Sequence, residues 1–72
     1  MDLKEFDAYL YYITLDGMIV GDQGDAWFDI KDEAREDAED YIRTELVSEY
    51  NRPFEDFVIE CYVVTIVELK EE

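Results

Sequence analysis

The stretch DEAREDAEDYIRTELVSEY, residues 32–50, decides the fold, because its apolar side chains recur at helical spacing. They fall at i, i+4, i+7, i+8, i+12 and i+16, which is one stripe of a 3.6-residue repeat. The stripe consists of Ala34, Ala38, Tyr41, Ile42, Leu46 and Tyr50. We therefore predict an amphipathic helix that packs this stripe against a core.

Both ends of the predicted helix are marked in the sequence. The carboxylate of Asp32 can accept hydrogen bonds from the free N–H groups of the first turn, so we predict Asp32 as the N-cap. Asn51 can adopt the left-handed conformation that ends a helix, and Pro53 cannot continue one. The helix is expected to stop at Tyr50.

The opposite side of the helix carries a row of acids at i, i+3, i+4 and i+7: Glu33, Glu36, Asp37 and Asp40. Like charges at i, i+4, such as Glu33 with Asp37 and Glu36 with Asp40, repel by roughly 0.2–0.5 kcal/mol per pair, whereas Glu39 followed by Arg43 is a favourable pair of similar size. Local helix stability does not account for this arrangement. The row is either a solvated face or a binding surface.

Composition favours the binding surface. The chain has 72 residues, which predicts one domain spanning 1–72, and 49% of them are hydrophobic, which argues against disorder. Its net charge of −15 comes from 21 acidic and 6 basic residues. So much negative charge argues against direct binding of nucleic acid or anionic membranes. We expect the partner to be a basic protein surface.

Several classes of chemistry lack the residues that they need. One cysteine, Cys61, and no histidine argue against an internal disulfide, a Cys/His zinc site and His-based catalysis. Phosphate-binding, dinucleotide-binding and hydrolase motifs are absent from the sequence. We therefore expect no enzyme activity, cofactor or metal. Without a signal-like N-terminus or a long apolar run, a cytoplasmic location is expected.

The segments around the helix have strand patterns. We predict a first strand from Phe6 or Ala8 to Leu15, after a frayed 1–5 segment, followed by a turn at Asp16-Gly17. A return strand starts at Met18, is interrupted by a bulge or loop at 21–25, and resumes at 26–30. A last strand is predicted over 57–68, followed by a charged tail at 69–72.

These elements give a ββαβ order and an α+β fold. We predict a three-stranded antiparallel sheet of order 2-1-3 with the helix on one face. The predicted core partners of the helix are Tyr9, Tyr11, Ile13, Leu15, Ala26, Phe28, Ile30, Ile59, Cys61 and Val63. One helix cannot cover both faces, so Tyr12, Trp27 and Tyr62 are expected on an open face that forms a homodimer.

Further acids in the hairpin region extend the negative charge: Asp22, Asp25 and Asp29. Rows of carboxylates can occupy a Lys/Arg-lined groove built for the phosphates of DNA. In size, acidity and lack of catalytic residues, the chain is similar to small phage-encoded DNA-mimic inhibitors of restriction enzymes or CRISPR effectors. The resemblance implies an inhibitor that occupies a nucleic-acid-binding groove. The alternatives are a homodimeric interaction module whose acidity keeps it soluble, and adaptation to high salt.

Overall fold

The computed structural model describes residues 2–70 and has the predicted α+β architecture. Its strands are β1 (Asp2–Leu15), β2 (Met18–Asp22) and β3 (Phe57–Lys70). They form one antiparallel sheet in the order β2-β1-β3. The long helix, α1, spans residues 31–50, and a 3-10 helix, Phe54–Asp56, precedes β3. The predicted fold class and strand order are confirmed.

The pairing of β1 with β3 is longer than predicted. It is unbroken over 14 residues on each strand, from Leu15 opposite Phe57 to Asp2 opposite Lys70. The prediction that 1–5 frays is therefore wrong for residues 2–5, and β3 continues two residues past Glu68 instead of ending in a tail. Each strand supplies the other's backbone hydrogen bonds, so polar residues are tolerated there. The predicted fraying of Met1 and the end of the predicted tail, 71–72, lie outside the described residues.

The β1–β2 hairpin has a tight turn and a bulge. Asp16 and Gly17 both have positive φ, 52° and 84°, as a type I′ turn requires. The register then shifts between Ile13–Gly21 and Thr14–Ile19, which is a β-bulge at Val20. The predicted interruption at 21–25 is wrong for Gly21 and Asp22, since both still pair with β1.

The predicted second half of the return strand, 26–30, is wrong. Only Phe28 pairs there, in an isolated bridge with Tyr9. The cause lies just before it, where the Gln23 side-chain Oε1 accepts from the Tyr11 N–H at 3.0 Å. A side chain thus occupies the place of a backbone partner, and Gly24, with φ 63°, turns the chain away.

Helix α1 starts one residue earlier than Asp32. The N-cap is Ile30, in extended conformation and without a side-chain cap, so the prediction of Asp32 as N-cap is wrong. Asp32 lies in the first turn, where its charge still faces the positive end of the helix. At the other end Asn51 has the predicted left-handed conformation, with φ 53° and ψ 46°.

A π-helical turn divides α1. The helix is α-helical over Lys31–Tyr41, π-helical over Ile42–Leu46 and α-helical over Val47–Tyr50. The buried residues recur at every fourth position: Ala34, Ala38, Ile42 and Leu46. Each four-residue step advances about 40° around a 3.6-residue helix, so a regular helix would carry the last residue off the sheet. The wider π turn cancels this drift.

The core lies between α1 and the turn end of the sheet. The four residues of α1 meet Tyr11, Ile13, Leu15 and Phe57, and all eight are buried. Partly buried residues surround this cluster: Tyr9, Val20, Phe28, Tyr41, Val47, Phe54, Ile59 and Cys61. Three predicted core residues are wrong, because Ala26, Ile30 and Val63 are exposed. Tyr50, at the end of the predicted stripe, is also exposed.

The molecule is a rod of 51 × 20 × 17 Å. Twenty helical residues span about 30 Å, whereas 14 strand residues span about 47 Å, so α1 covers only part of the β1–β3 ribbon. The uncovered end exposes apolar side chains on the face that α1 covers elsewhere: Leu3, Val63, Val67 and Leu69. No helix within residues 2–70 has both the length and the apolar character to cross a membrane.

Candidate functional site: an acidic helix face

The predicted acid row lies on one surface. Glu33, Glu36, Asp37 and Asp40 line a single open groove of about 580 Å³, together with Phe28, Glu39 and Arg43. All four row residues are exposed. They come from the regular α-helical part of α1, opposite the buried alanines, so burial of the alanines directs the carboxylates to solvent. We call these four residues the acid row.

The spacing of the acid row follows from helical geometry. Its residues span seven positions, which is about 10 Å along the axis at about 1.5 Å per residue. The intervals between neighbouring acids are three, one and three residues, or about 4.5, 1.5 and 4.5 Å along the axis, so the charges are unevenly spaced. Their mean density, one charge per about 3.5 Å of axis, is close to the roughly 3.4 Å per charge along one strand of duplex DNA.

One member of the row is held by the core. The Tyr11 Oη donates a hydrogen bond to Asp37 Oδ2 at 2.7 Å, across 26 residues of sequence. Burial of Tyr11 and the hydrogen bond to this carboxylate both raise the pKa of the Tyr11 hydroxyl. The hydroxyl therefore stays protonated and keeps donating. Asp37 is thus oriented by the sheet.

Of the predicted hairpin acids, Asp22 extends the acid row. It lines a second groove beside the helix, together with Asp37, Tyr11 and Tyr41. Its own carboxylate is held in the loop, because Oδ1 accepts from the Gly24 N–H at 2.7 Å. Negative charge therefore continues from α1 to the end of β2.

The other two hairpin acids are placed elsewhere. Asp25 is exposed in the loop after β2 and lines neither acidic groove. Asp29 lies in a different cleft, with Lys4, Phe6, Trp27 and Glu68. The structure thus joins five of the seven predicted acids and separates Asp25 and Asp29 from them.

Among the side chains of residues 3–69, none forms an ion pair with the acid row. Within residues 3–69, both ion pairs involve Arg52, whose Nη1 is 2.7 Å from Asp16 Oδ2 and whose Nε is 2.9 Å from Asp56 Oδ2. The predicted pair of Glu39 with Arg43 is wrong, because the Arg43 guanidinium stacks 4.6 Å from the Phe54 ring centroid. Arg43, the cation that lines the acid-row groove, is thus held against an aromatic ring.

The predicted dimer residues share the helix-free side of the sheet but form two clusters. Tyr12 and Tyr62 have ring centroids 6.1 Å apart. Trp27 instead contacts Phe6, at 5.1 Å. Six residues of β1 separate the two clusters, about 20 Å along the strand. Phe6 was not predicted as the partner of Trp27, although strand alternation places it on the same face as Tyr12.

The chemistry available at the acid row is ion pairing and hydrogen-bond acceptance. Residues 2–70 contain no cluster of three or more His, Cys, Asp or Glu side chains arranged to hold a metal ion. Cys61 is half-buried beside Tyr9 and Lys31, away from the row. Comparisons with protein-family models, curated proteins and solved structures find no match.

Proposed function

We propose that this protein is a non-enzymatic inhibitor that inserts its acidic helix face into the basic nucleic-acid-binding groove of a nuclease or of a restriction or CRISPR effector. The observation that carries the proposal is the acid row itself: four carboxylates in one groove, none of them in an ion pair within the described chain. Such a surface attracts the Lys and Arg side chains that otherwise hold phosphates.

The geometry supports mimicry of a nucleic-acid strand. The mean charge density of the acid row along the helix axis is close to that of one DNA strand, and Asp22 continues the charge beyond the helix. Because α1 packs on a sheet, the backbone positions that carry the carboxylates are fixed before they meet a partner, and the Asp37 carboxylate is also held by Tyr11. A preorganised surface loses less conformational entropy on binding.

Asp37 is the strongest candidate for a binding hot spot. The Tyr11 hydroxyl fixes one of its carboxylate oxygens, and the other oxygen stays available to a partner's guanidinium. A carboxylate held in this way and desolvated against an arginine can contribute about 2 kcal/mol or more, whereas rim charges act mainly on association rate. We expect Asp37→Asn to raise the dissociation rate more than Glu33→Gln does.

The test is competition for nucleic acid. A panel of purified restriction enzymes and CRISPR effector complexes is titrated with labelled target duplex at several concentrations of the protein. For the true partner, the apparent Kd for the duplex should rise in proportion to inhibitor concentration. Raising the salt concentration should weaken the inhibitor complex.

The specific variant is the double charge reversal Glu36→Lys with Asp40→Lys, which should abolish inhibition. Glu49→Lys with Glu55→Lys is the matched control, since these exposed residues lie outside the acid-row groove and the net charge changes equally. Circular dichroism verifies the fold of both. If both variants lose inhibition equally, the overall charge of the protein and not the acid row is responsible. Inhibition that leaves the duplex bound would contradict mimicry.

A second candidate function is a homodimeric interaction module. It is favoured by the uncovered apolar surface, which includes the Tyr12–Tyr62 and Phe6–Trp27 clusters and the uncovered end of the ribbon. Under this reading the acidity keeps a self-associating protein soluble. Inhibition of a nucleic-acid enzyme would then be absent, and sedimentation equilibrium would show a concentration-dependent dimer.

A further inference from the structure

The outer edge of β3 carries unpaired backbone groups. The Tyr9 N–H donates to the Phe28 carbonyl at 2.8 Å, and the Phe28 N–H donates to the Tyr9 carbonyl at 3.1 Å, so both Tyr9 groups point away from β3. In an antiparallel ladder, two opposite residues direct their groups either toward each other or both away. Val63, opposite Tyr9, therefore points its N–H and C=O outward.

The same holds for every second residue of the strand. The outward-pointing set is Ile59, Cys61, Val63, Thr65, Val67 and Leu69, whereas the Phe57 N–H already donates to the Phe54 carbonyl. Within the described chain β3 is the last strand of the sheet, so no strand pairs with this edge. A long edge without proline or a bulge is a ready template for another strand.

Charge makes this edge the least acidic side of the protein. Residues 57–69 contain only two acids, Glu60 and Glu68, out of 21 in the chain. Lys31, at the start of α1, lines a cleft with Tyr9, Cys61 and Val63 on this side. The acid row lies beside β2 instead, where Asp37 faces Asp22. Two copies that meet at β3 keep their acid rows apart.

We propose that two copies of this chain pair through their β3 edges, antiparallel about a twofold axis at Val63, to form a continuous six-stranded sheet. The pattern of outward-pointing residues and the positions of Glu60 and Glu68 favour this register. It places outward-pointing residues opposite one another, with Ile59 opposite the partner's Val67, Cys61 opposite the partner's Thr65 and Val63 on the axis. An axis one residue further on, at Val64, would place Glu60 against Glu68.

The same register covers the exposed end of the ribbon. Val63, Val67 and Leu69 are 52%, 54% and 64% exposed, because α1 does not reach past Val63. In the antiparallel pair, the strand segment under one helix lies beside the uncovered segment of the other copy. Each copy therefore places its helix alongside the apolar surface that the other leaves open, and the contact is self-complementary.

Spin-label distances test both the dimer and its register. Single cysteines at Val67 or Leu69, in a Cys61→Ser background, are labelled and measured by pulsed electron paramagnetic resonance. Residues four and six positions from the axis should give intermolecular distances of about 27 Å and about 41 Å, at about 3.4 Å per residue. Other distances, or a protein that light scattering shows to be monomeric, would overturn the proposal.

Two substitutions separate edge pairing from contact through the aromatic face. Val63→Pro removes an outward N–H without touching the β1–β3 hydrogen bonds, so it should yield a folded monomer. Trp27→Glu changes the helix-free face and should leave the dimer intact. Dissociation by Trp27→Glu alone would place the interface on that face instead.

Salt dependence separates this proposal from the proposed function. Self-association of a chain with a charge of −15 should strengthen as salt is added, because screening weakens the repulsion between copies. Binding to a basic groove should weaken under the same change. The dimer proposal can therefore be contradicted while the inhibitor proposal is supported, and the inhibitor proposal can be contradicted while the dimer proposal is supported.

Discussion

The Tyr11 hydroxyl donates to the Asp37 carboxylate at 2.7 Å, which links the centre of the sheet to the acidic face of the helix. Tyr11 is buried in the core, whereas Asp37 is exposed and lines both acidic grooves. A single hydrogen bond therefore couples the packing of the fold to the geometry of the proposed binding surface.

Loss of this bond should destabilise the protein. We expect Tyr11→Phe to lower the free energy of unfolding by about 1 kcal/mol, since it removes one hydrogen bond and keeps the ring. Urea denaturation followed by circular dichroism measures the change. Tyr12→Phe, on the helix-free face, is the matched control and should have a smaller effect.

The same contact predicts a loss of stability at alkaline pH. The pKa of Tyr11 is raised in the folded state by burial and by Asp37. A raised pKa means that the stability is complete below the ordinary tyrosine value of about 10 and declines as the pH rises above it. Ultraviolet titration should show that one of the six tyrosines ionises later than the rest. Tyr11→Phe should remove that late step, and its persistence would assign the step to another tyrosine.

Self-repulsion should make stability depend on salt. With a net charge of −15, we expect the melting temperature to rise from low ionic strength to about physiological levels, where the Debye length is about 8 Å. The double variant Glu36→Gln with Asp40→Asn removes two negative charges from the acid row and should flatten the curve. A wild-type melting temperature that is constant or falls with salt would contradict self-repulsion.

The Arg52 contacts predict a separate effect at acid pH. Arg52 joins Asp16, in the β1–β2 turn, to Asp56, at the start of β3. Hydrogen bonding to Arg52, and then its charge, lowers the pKa of Asp16. This contribution is present above the ordinary aspartate pKa and is lost as the pH falls through the lowered value. Asp16→Asn should therefore lower the melting temperature at neutral pH, and the difference from wild type should vanish in acid.

The sequence was sufficient where a pattern repeats along one element. The four-residue recurrence from Ala34 to Leu46 predicted the buried side of the helix, and the same periodicity placed the acid row opposite to it. Alternation predicted that Ile59 and Cys61 face the helix. The β-α-β connection predicted that β3 runs parallel to β2 and antiparallel to β1, and pairing β3 with β1 then gave the order 2-1-3.

The sequence predictions were wrong where contacts between residues far apart in the chain determine the local structure. The Gln23 side chain takes the place of a strand partner of Tyr11, and no propensity predicts such a substitution. Strand alternation places Val63 on the face of β3 that packs against the helix. It is nevertheless exposed, because the N-terminal end of α1 does not extend over it. The link from Tyr11 to Asp37 depends on how closely the helix approaches the sheet, which the buried alanines set through their small volume.

The π turn leaves the helix one residue longer than its contact with the sheet requires. A π turn contains one residue more than the α turn it replaces. Deletion of Thr44 would place the leucine three residues after Ile42, a spacing that a regular α-helix also keeps on one face. The helix can therefore change in length by one residue at this point without exchanging any side chain of the core. A one-residue deletion should therefore be tolerated at this turn.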